Sequence, residues 1–200
     1  MPPVSSSPQP VADLLADLAR GLGALGVRWF LFGAQAAILH GSARLSADVD
    51  VTVELGTKSS RELVDALSRS GFELRVADAD GFVKATSVIP LLHVPSRMPL
   101  DIVLAGPGLE DLFFARAIER RVGDVAVPVV SAEDLVAMKI LAGRPRDVED
   151  VASIVRAQPD LDVDAIRDTL RLLERALDRA DLVPELERVI AGRSGAGPRA

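Results

Sequence analysis

Two aspartates separated by one residue, Asp48 and Asp50, open an otherwise apolar stretch, and a third, Asp101, opens another. In an extended strand the side chains alternate between faces. Asp48, Asp50 and Thr52 then share one face, and Val49, Val51 and Val53 the other. The two carboxylates lie roughly 6.5–7 Å apart along such a backbone, so their oxygens can converge on one cation. Aspartate is disfavoured in strands, and two like charges side by side repel unless something neutralises them. A divalent metal is the simplest neutraliser. Asp101 heads the run LDIVLA, which is expected in the same sheet and would add to the oxygen-rich coordination that Mg²⁺ prefers. Three carboxylates at one sheet edge suit one or two metal ions bridging nucleotide phosphates and an attacking hydroxyl. The spacing alone says little, because it recurs at Asp78/Asp80, Asp160/Asp162 and Asp162/Asp164. Those pairs stand in loop-like or helix-entry contexts, where aspartate serves turns and caps.

Gly33 ends an apolar run and precedes AQAAILHG, which reads as a short helix. A glycine there lets a phosphate approach the backbone N–H groups of Gly33 and Ala34 at the helix start. It also serves as a plain strand-to-helix turn, and both readings stay open. Arg44, in the loop before the aspartates, is either a bidentate phosphate clamp or a solvated loop arginine. His40 caps the short helix or packs in the core, or else touches a nucleotide or acceptor; His93 lies in an apolar strand and reads as structural. With two histidines in the chain, neither a histidine-based metal site nor a serine hydrolase triad is expected.

Stepping outward, leucines at helical spacing from Leu14 to Leu25 predict a first helix, ended by Gly26. The apolar run 27–32 reads as a buried strand, and 46–53 as the strand carrying the acids. An amphipathic helix is expected over 59–70. Strands follow at 72–76, at 82–94 (divided near Pro90) and at 100–105, then a helix over 109–118 and a strand at 125–130. Beyond that the pattern is helical. Ser131 and Asp134 fit a capping box, Pro145 fits a first helical position, and two more helices are expected near 163–178 and 182–191. The expected plan is a mixed α/β layer with flanking helices, the α+β arrangement, over residues 11–130. A helical segment over 131–191 completes it, and the ends 1–10 and 192–200 are polar and frayed.

Taken together, FGAQAAILHGSARLSADVDVTV resembles the nucleotidyltransferase superfamily pattern of strand, glycine turn, short helix and a strand bearing two aspartates. The matching residues are His40, Gly41, Arg44, Ser46, Asp48 and Asp50. The block SAEDLVAMKILAGRPRDVEDVASIV is similar to the bacterial branch that includes AbiEii-type toxins of type IV toxin–antitoxin systems, through Lys139, Arg144, Asp147 and Asp150. The resemblance covers about residues 27–157. It implies Mg²⁺-dependent transfer of a nucleotide from an NTP to a hydroxyl acceptor. By that analogy Asp48 and Asp50 hold the metal and Asp101 helps activate the hydroxyl. Lys139 pairs with the triphosphate, Arg144 joins the phosphate-binding groups, and Asp147 orients Lys139 or the acceptor. The competing reading of this block is a solvated helix pair with ordinary salt bridges. The chain departs from the superfamily in having Ala34 where a second glycine or a serine is common, which removes a hydroxyl but keeps the backbone donors.

Composition bounds the partners. A net charge of −6 argues against a broad non-specific nucleic-acid footprint, leaving local basic clusters at Arg116, Arg120 and Arg121 and at Lys139, Arg144 and Arg146. Without cysteine, disulfides and thiolate chemistry are excluded. No run is long enough to span a bilayer and the first residues lack a signal-peptide plan, so a cytoplasmic protein away from membranes is expected. Its arginine-, alanine- and glycine-rich composition is that of a GC-rich bacterial genome. The expected activity is a toxin-like nucleotidyltransferase acting on tRNA, with a cognate antitoxin as partner. The alternatives are a small-molecule, aminoglycoside-type nucleotidyltransferase and a catalytically degenerate binding or antitoxin-like domain. A groove continuous with Arg116–Arg121 would favour RNA; a closed acidic pocket would favour an aminocyclitol cation.

Overall fold

The computed structural model describes residues 10–43, 46–106 and 108–194. In chain order its elements are α1 (Pro10–Leu25), β1 (Arg28–Phe32), α2 (Gly33–Leu39), β2 (Val49–Glu54), α3 (Ser60–Ser68), β3 (Phe72–Leu74), α4 (Ala79–Thr86) and β4 (Val88–His93). They continue with β5 (Met98–Leu104), α5 (Leu109–Arg116), β6 (Ile118–Val122), β7 (Val125–Val129), α6 (Ala132–Ala142), α7 (Pro145–Ala157), α8 (Val163–Leu177) and α9 (Leu182–Ser194). The fold is mixed α/β, as the patterning predicts. It divides into two compact units, one made of Met1–Phe32 with Ser46–Val129 and the other of Gly33–Leu45 with Val130–Ala200.

The first unit holds a seven-stranded sheet in the order β3-β4-β5-β2-β1-β7-β6. β2 pairs antiparallel with β1 and parallel with β5, while β1 pairs parallel with β7. The central strands are apolar because helices cover them: Phe30, Leu31, Val49, Val51, Val53, Leu100 and Ile102 are fully buried. Helix α1 supplies Leu14, Leu15, Leu18 and Leu22 to that core. Burying each such side chain contributes about 1.5–3 kcal/mol. Helix α3 starts at a reciprocal cap, in which Ser59 accepts from the Glu62 N–H and Glu62 accepts from the Ser59 N–H.

Three expectations need correction here. Residues 79–86, expected to include strand, form helix α4, because Asp78 caps it by accepting from the Gly81 N–H at 2.9 Å. Its β-branched residues misled because α4 buries none of its side chains, so packing does not select them. Strand β4 then runs through Pro90 without a break. The Pro90 carbonyl accepts from the Arg75 N–H at 3.0 Å. The ring nitrogen therefore faces the same side, where β3 has ended and no ladder donor is required. An unexpected edge strand, β6, pairs antiparallel with β7.

The second unit is helical. Helix α6 is apolar nearly all round and lies at its centre, packed against α2, α7, α8 and α9. Ser131 caps it by accepting from the Asp134 N–H at 3.1 Å, and Gly143 ends it in a left-handed turn. Pro145 opens α7 as expected. Residues 33–43, which the sequence places within the α/β segment, instead belong to this helical unit: α2, with Ala36 and Ala37 buried, packs on α6 and α7. Gly41 makes that packing possible. It has φ +102, and a Cβ added there would lie 2.3 Å from the Ala157 Cβ. Among the described residues no helix is long and apolar enough to cross a membrane.

Candidate active site

The apolar faces of β2 and β5 set the position of the acids. Burial of Val49 and Val51 on β2, and of Leu100 and Ile102 on β5, turns the intervening Asp50 and Asp101 to the other, partly exposed face. The parallel register then pairs Asp50 with Asp101 directly. Neighbouring strands lie about 4.8 Å apart, so the two side chains leave the sheet at close to that separation. Asp48 stands one residue before β2 and is exposed; its backbone N–H donates to the Ser46 hydroxyl at 3.3 Å. On the far side of Asp50, the register partner is Phe32, the last residue of β1. Gly33 follows it at φ +68, a left-handed turn that suits glycine. Ala34 lies in the first turn of α2, and Arg44 lies outside the described residues.

A residue that the sequence reading missed joins the acids. Arg75 directly follows β3, and its guanidinium pairs with Asp101 Oδ1. Its Nε donates to the Leu91 carbonyl at 3.0 Å. The pair is half-exposed, with 36% and 39% of the two side chains accessible. Nothing in the local pattern separates Arg75 from any charged residue at a strand end. Only the β3–β4–β5 register brings it beside Asp101.

The donor set at this edge is entirely hard carboxylate oxygen, which suits Mg²⁺ better than a softer metal. Asp50 and Asp101 are in register for a shared ion. As the side chains stand, however, no group of three acidic or histidine residues is gathered tightly enough to hold one, among the described residues. Asp101 turns one oxygen, Oδ1, to Arg75.

The helical unit contains the other residues singled out. Lys139 Nζ lies 2.7 Å from Asp150 Oδ2 and 3.3 Å from Asp147 Oδ1, with 6%, 2% and 2% of the three side chains exposed. The Ser42 hydroxyl donates to Asp150 Oδ1 at 2.8 Å, and Arg144 donates to both oxygens of Asp147. This is a buried ion cluster and not a solvated helix pair. Burial pushes the Asp147 carboxyl up, but the Arg144 hydrogen bond and the Lys139 charge outweigh it. The net effect holds Asp147 below the usual carboxylate range. His40 is buried too: its Nε2 faces the Val130 carbonyl at 2.8 Å and the Gln158 amide lies 3.2 Å from its Nδ1. Both ring nitrogens of His40 therefore have partners inside the helical unit. His93, in the sheet unit, is fully buried between Asp17 and Ser96. Of the basic cluster, Arg120 and Arg121 stand exposed on the edge strand β6, and β1 and β7 separate them from β2.

The family model "Nucleotidyl transferase AbiEii toxin, Type IV TA system" matches residues 16–191. No curated protein matches significantly. Among solved structures, the chain is similar to the antibiotic-resistance factor ANT(2'')-Ia at TM-score 0.58 and 14% identity, covering 84% of this chain and 93% of that one. It is similar to the lincosamide antibiotic adenylyltransferase LnuA with lincomycin bound, at TM-score 0.52 and 16% identity, covering 73% and 96%. An antigenic nucleotidyltransferase-like protein from Paracoccidioides brasiliensis gives TM-score 0.51 and 19% identity, covering 90% and 94%. At these identities the solved structures establish the fold.

Proposed function

Since the chain belongs to the AbiEii nucleotidyltransferase toxin family of type IV toxin–antitoxin systems, and is therefore a nucleotidyltransferase, we propose that it moves a nucleotide from an NTP to a hydroxyl of tRNA, with Mg²⁺ held by Asp48, Asp50 and Asp101. The observation that carries this reading is the direct pairing of Asp50 with Asp101 on a solvent-reachable sheet face. Two adjacent strand carboxylates repel each other, and a cation held between them offsets that repulsion.

Bound at these acids, the ion would polarise a phosphoryl oxygen and offset the charge of the triphosphate. The chain's own residues do the rest. Asp101 accepts the proton of the acceptor hydroxyl as that oxygen bonds to the α-phosphorus. The bond from the α-phosphorus to the bridging oxygen breaks, and pyrophosphate leaves with the electron pair. In the helical unit, the proposed phosphate-binding groups are the backbone N–H groups of Gly33 and Ala34 and the side chain of Arg144, which is more exposed than that of Lys139. Lys139 acts through Asp147: its ammonium keeps that carboxylate ionised, and the carboxylate holds the Arg144 guanidinium.

The RNA acceptor rests on the toxin family. Arg120 and Arg121 on β6 form an exposed basic patch, but β1 and β7 stand between them and the acids, so the patch could only be a remote RNA contact. A cognate antitoxin is the expected protein partner, and the cytoplasm the expected compartment. The test is incubation of the full chain with each labelled NTP and total RNA, beside Asp48→Asn/Asp50→Asn. Label should pass to RNA with the wild type alone; transfer that persists in the double variant would remove the mechanism. Label that reaches an aminoglycoside or lincosamide but not RNA would move the acceptor to the small-molecule class.

A further inference from the structure

The geometry points to Arg75 as a latch on the ion site: its guanidinium holds Asp101 Oδ1 and sets a positive charge beside the acids, so guanidinium and divalent cation compete for the same carboxylate. This inference rests on the metal-site reading above and adds how that site is kept closed.

The latch is built into the sheet. The Arg75 backbone N–H donates to the Pro90 carbonyl at 3.0 Å, and Pro90 is the register partner of Asp101. The side-chain Nε donates to the Leu91 carbonyl at 3.0 Å, which leaves the other end of the rigid guanidinium fork on Asp101 Oδ1. Arg75 is thus held by two backbone carbonyls of β4 while it reaches across to β5. Its charge relieves the repulsion between Asp101 and its neighbour Asp50 when no ion is present. The same contact keeps Asp101 from joining the other acids, which agrees with the lack of a gathered acidic triplet among the described residues.

The strength of the latch follows from its exposure. A pair this accessible is screened by water and contributes little, so it lowers ion affinity by at most about fivefold. Guanidinium and ion compete for one oxygen set, so removing the guanidinium should tighten ion binding. A purely structural arginine would do the opposite or nothing.

The test is Mn²⁺ binding to the full chain without nucleotide, followed by the electron paramagnetic resonance of free Mn²⁺. Arg75→Gln should tighten the Mn²⁺ Kd by roughly two- to fivefold, and adding Asp101→Asn should cancel the gain. Unchanged or weaker binding by Arg75→Gln, with Mn²⁺ still lost in Asp48→Asn/Asp50→Asn, would overturn the latch and leave the metal site standing. Mn²⁺ uptake indifferent to Asp48→Asn/Asp50→Asn would overturn both. A second readout needs no substitution: the ¹⁵Nε–¹H resonance of Arg75 should shift as Mg²⁺ is added to the wild type. A resonance unmoved at ion concentrations that fill the Mn²⁺ site would overturn the latch.

Discussion

Asp50 and Asp101 stand directly opposite each other on adjacent parallel strands, with Phe32 flanking the first and Pro90 the second. Everything proposed for catalysis depends on that row.

If Asp101 takes the proton of the acceptor hydroxyl, Asp101→Asn should lower kcat for nucleotide transfer by roughly 10²–10⁴-fold. Mn²⁺ binding should survive in part through Asp48 and Asp50. Steady-state transfer assays beside metal titration check this. An Asp101→Asn enzyme with unaltered kcat would remove Asp101 from the chemistry.

Lys139 neutralises two buried carboxylates, so Lys139→Met should leave Asp147 and Asp150 poorly compensated and destabilise the chain by about 3–5 kcal/mol. Adding Asp150→Asn should recover part of that loss, because one of the two stranded charges is then gone. Urea unfolding of the single and double variants measures both. A fully stable Lys139→Met would show that the cluster does not hold this unit together.

Asp147 also predicts an acid limb in stability. Its carboxyl sits below the usual range in the folded chain, so the unfolded state binds its proton at higher pH. The contribution is complete above the ordinary carboxylate pKa, about 4. It is lost as pH falls from there through the depressed folded value. Asp147→Asn should melt lower than wild type at neutral pH, and the gap should narrow as pH drops below about 4. A gap that widens with acid would reverse the assignment.

Gly41→Ala tests the packing of α2. The added methyl meets the Ala157 Cβ at 2.3 Å, on a backbone at φ +102 that other residues rarely adopt. A loss of about 1–3 kcal/mol from backbone strain is expected, with the steric clash in addition. Ala157→Gly in the same chain should relieve the clash and leave the strain. Thermal melts of the two variants separate those terms.

The acids themselves were legible in sequence because strand alternation is a local property: Val49, Val51 and Val53 declare the buried face, and Asp50 must take the other. Helix starts at Ser59, Ser131 and Pro145 were equally local. What escaped depends on register or on a missing core. Arg75 acquires its partner only because β3 lies beside β4 and β4 beside β5, and no residue near position 75 encodes that. Helix α4 escaped because no buried stripe marks it, and the cap at Asp78 was the sole cue. The motif carrying Lys139 and Asp150 was visible. Its enclosure was not, since the Ser42 hydroxyl that bonds Asp150 lies 108 positions away in the chain.

That same long-range bond bears on how the gene can change. The helical unit draws Gly33–Leu45 from the middle of the stretch that otherwise builds the sheet. A fragment starting at Val130 would therefore lack Ser42 for Asp150 and His40 for its own first carbonyl. A single crossover therefore cannot exchange either unit whole, because each is built from two separate stretches of the chain.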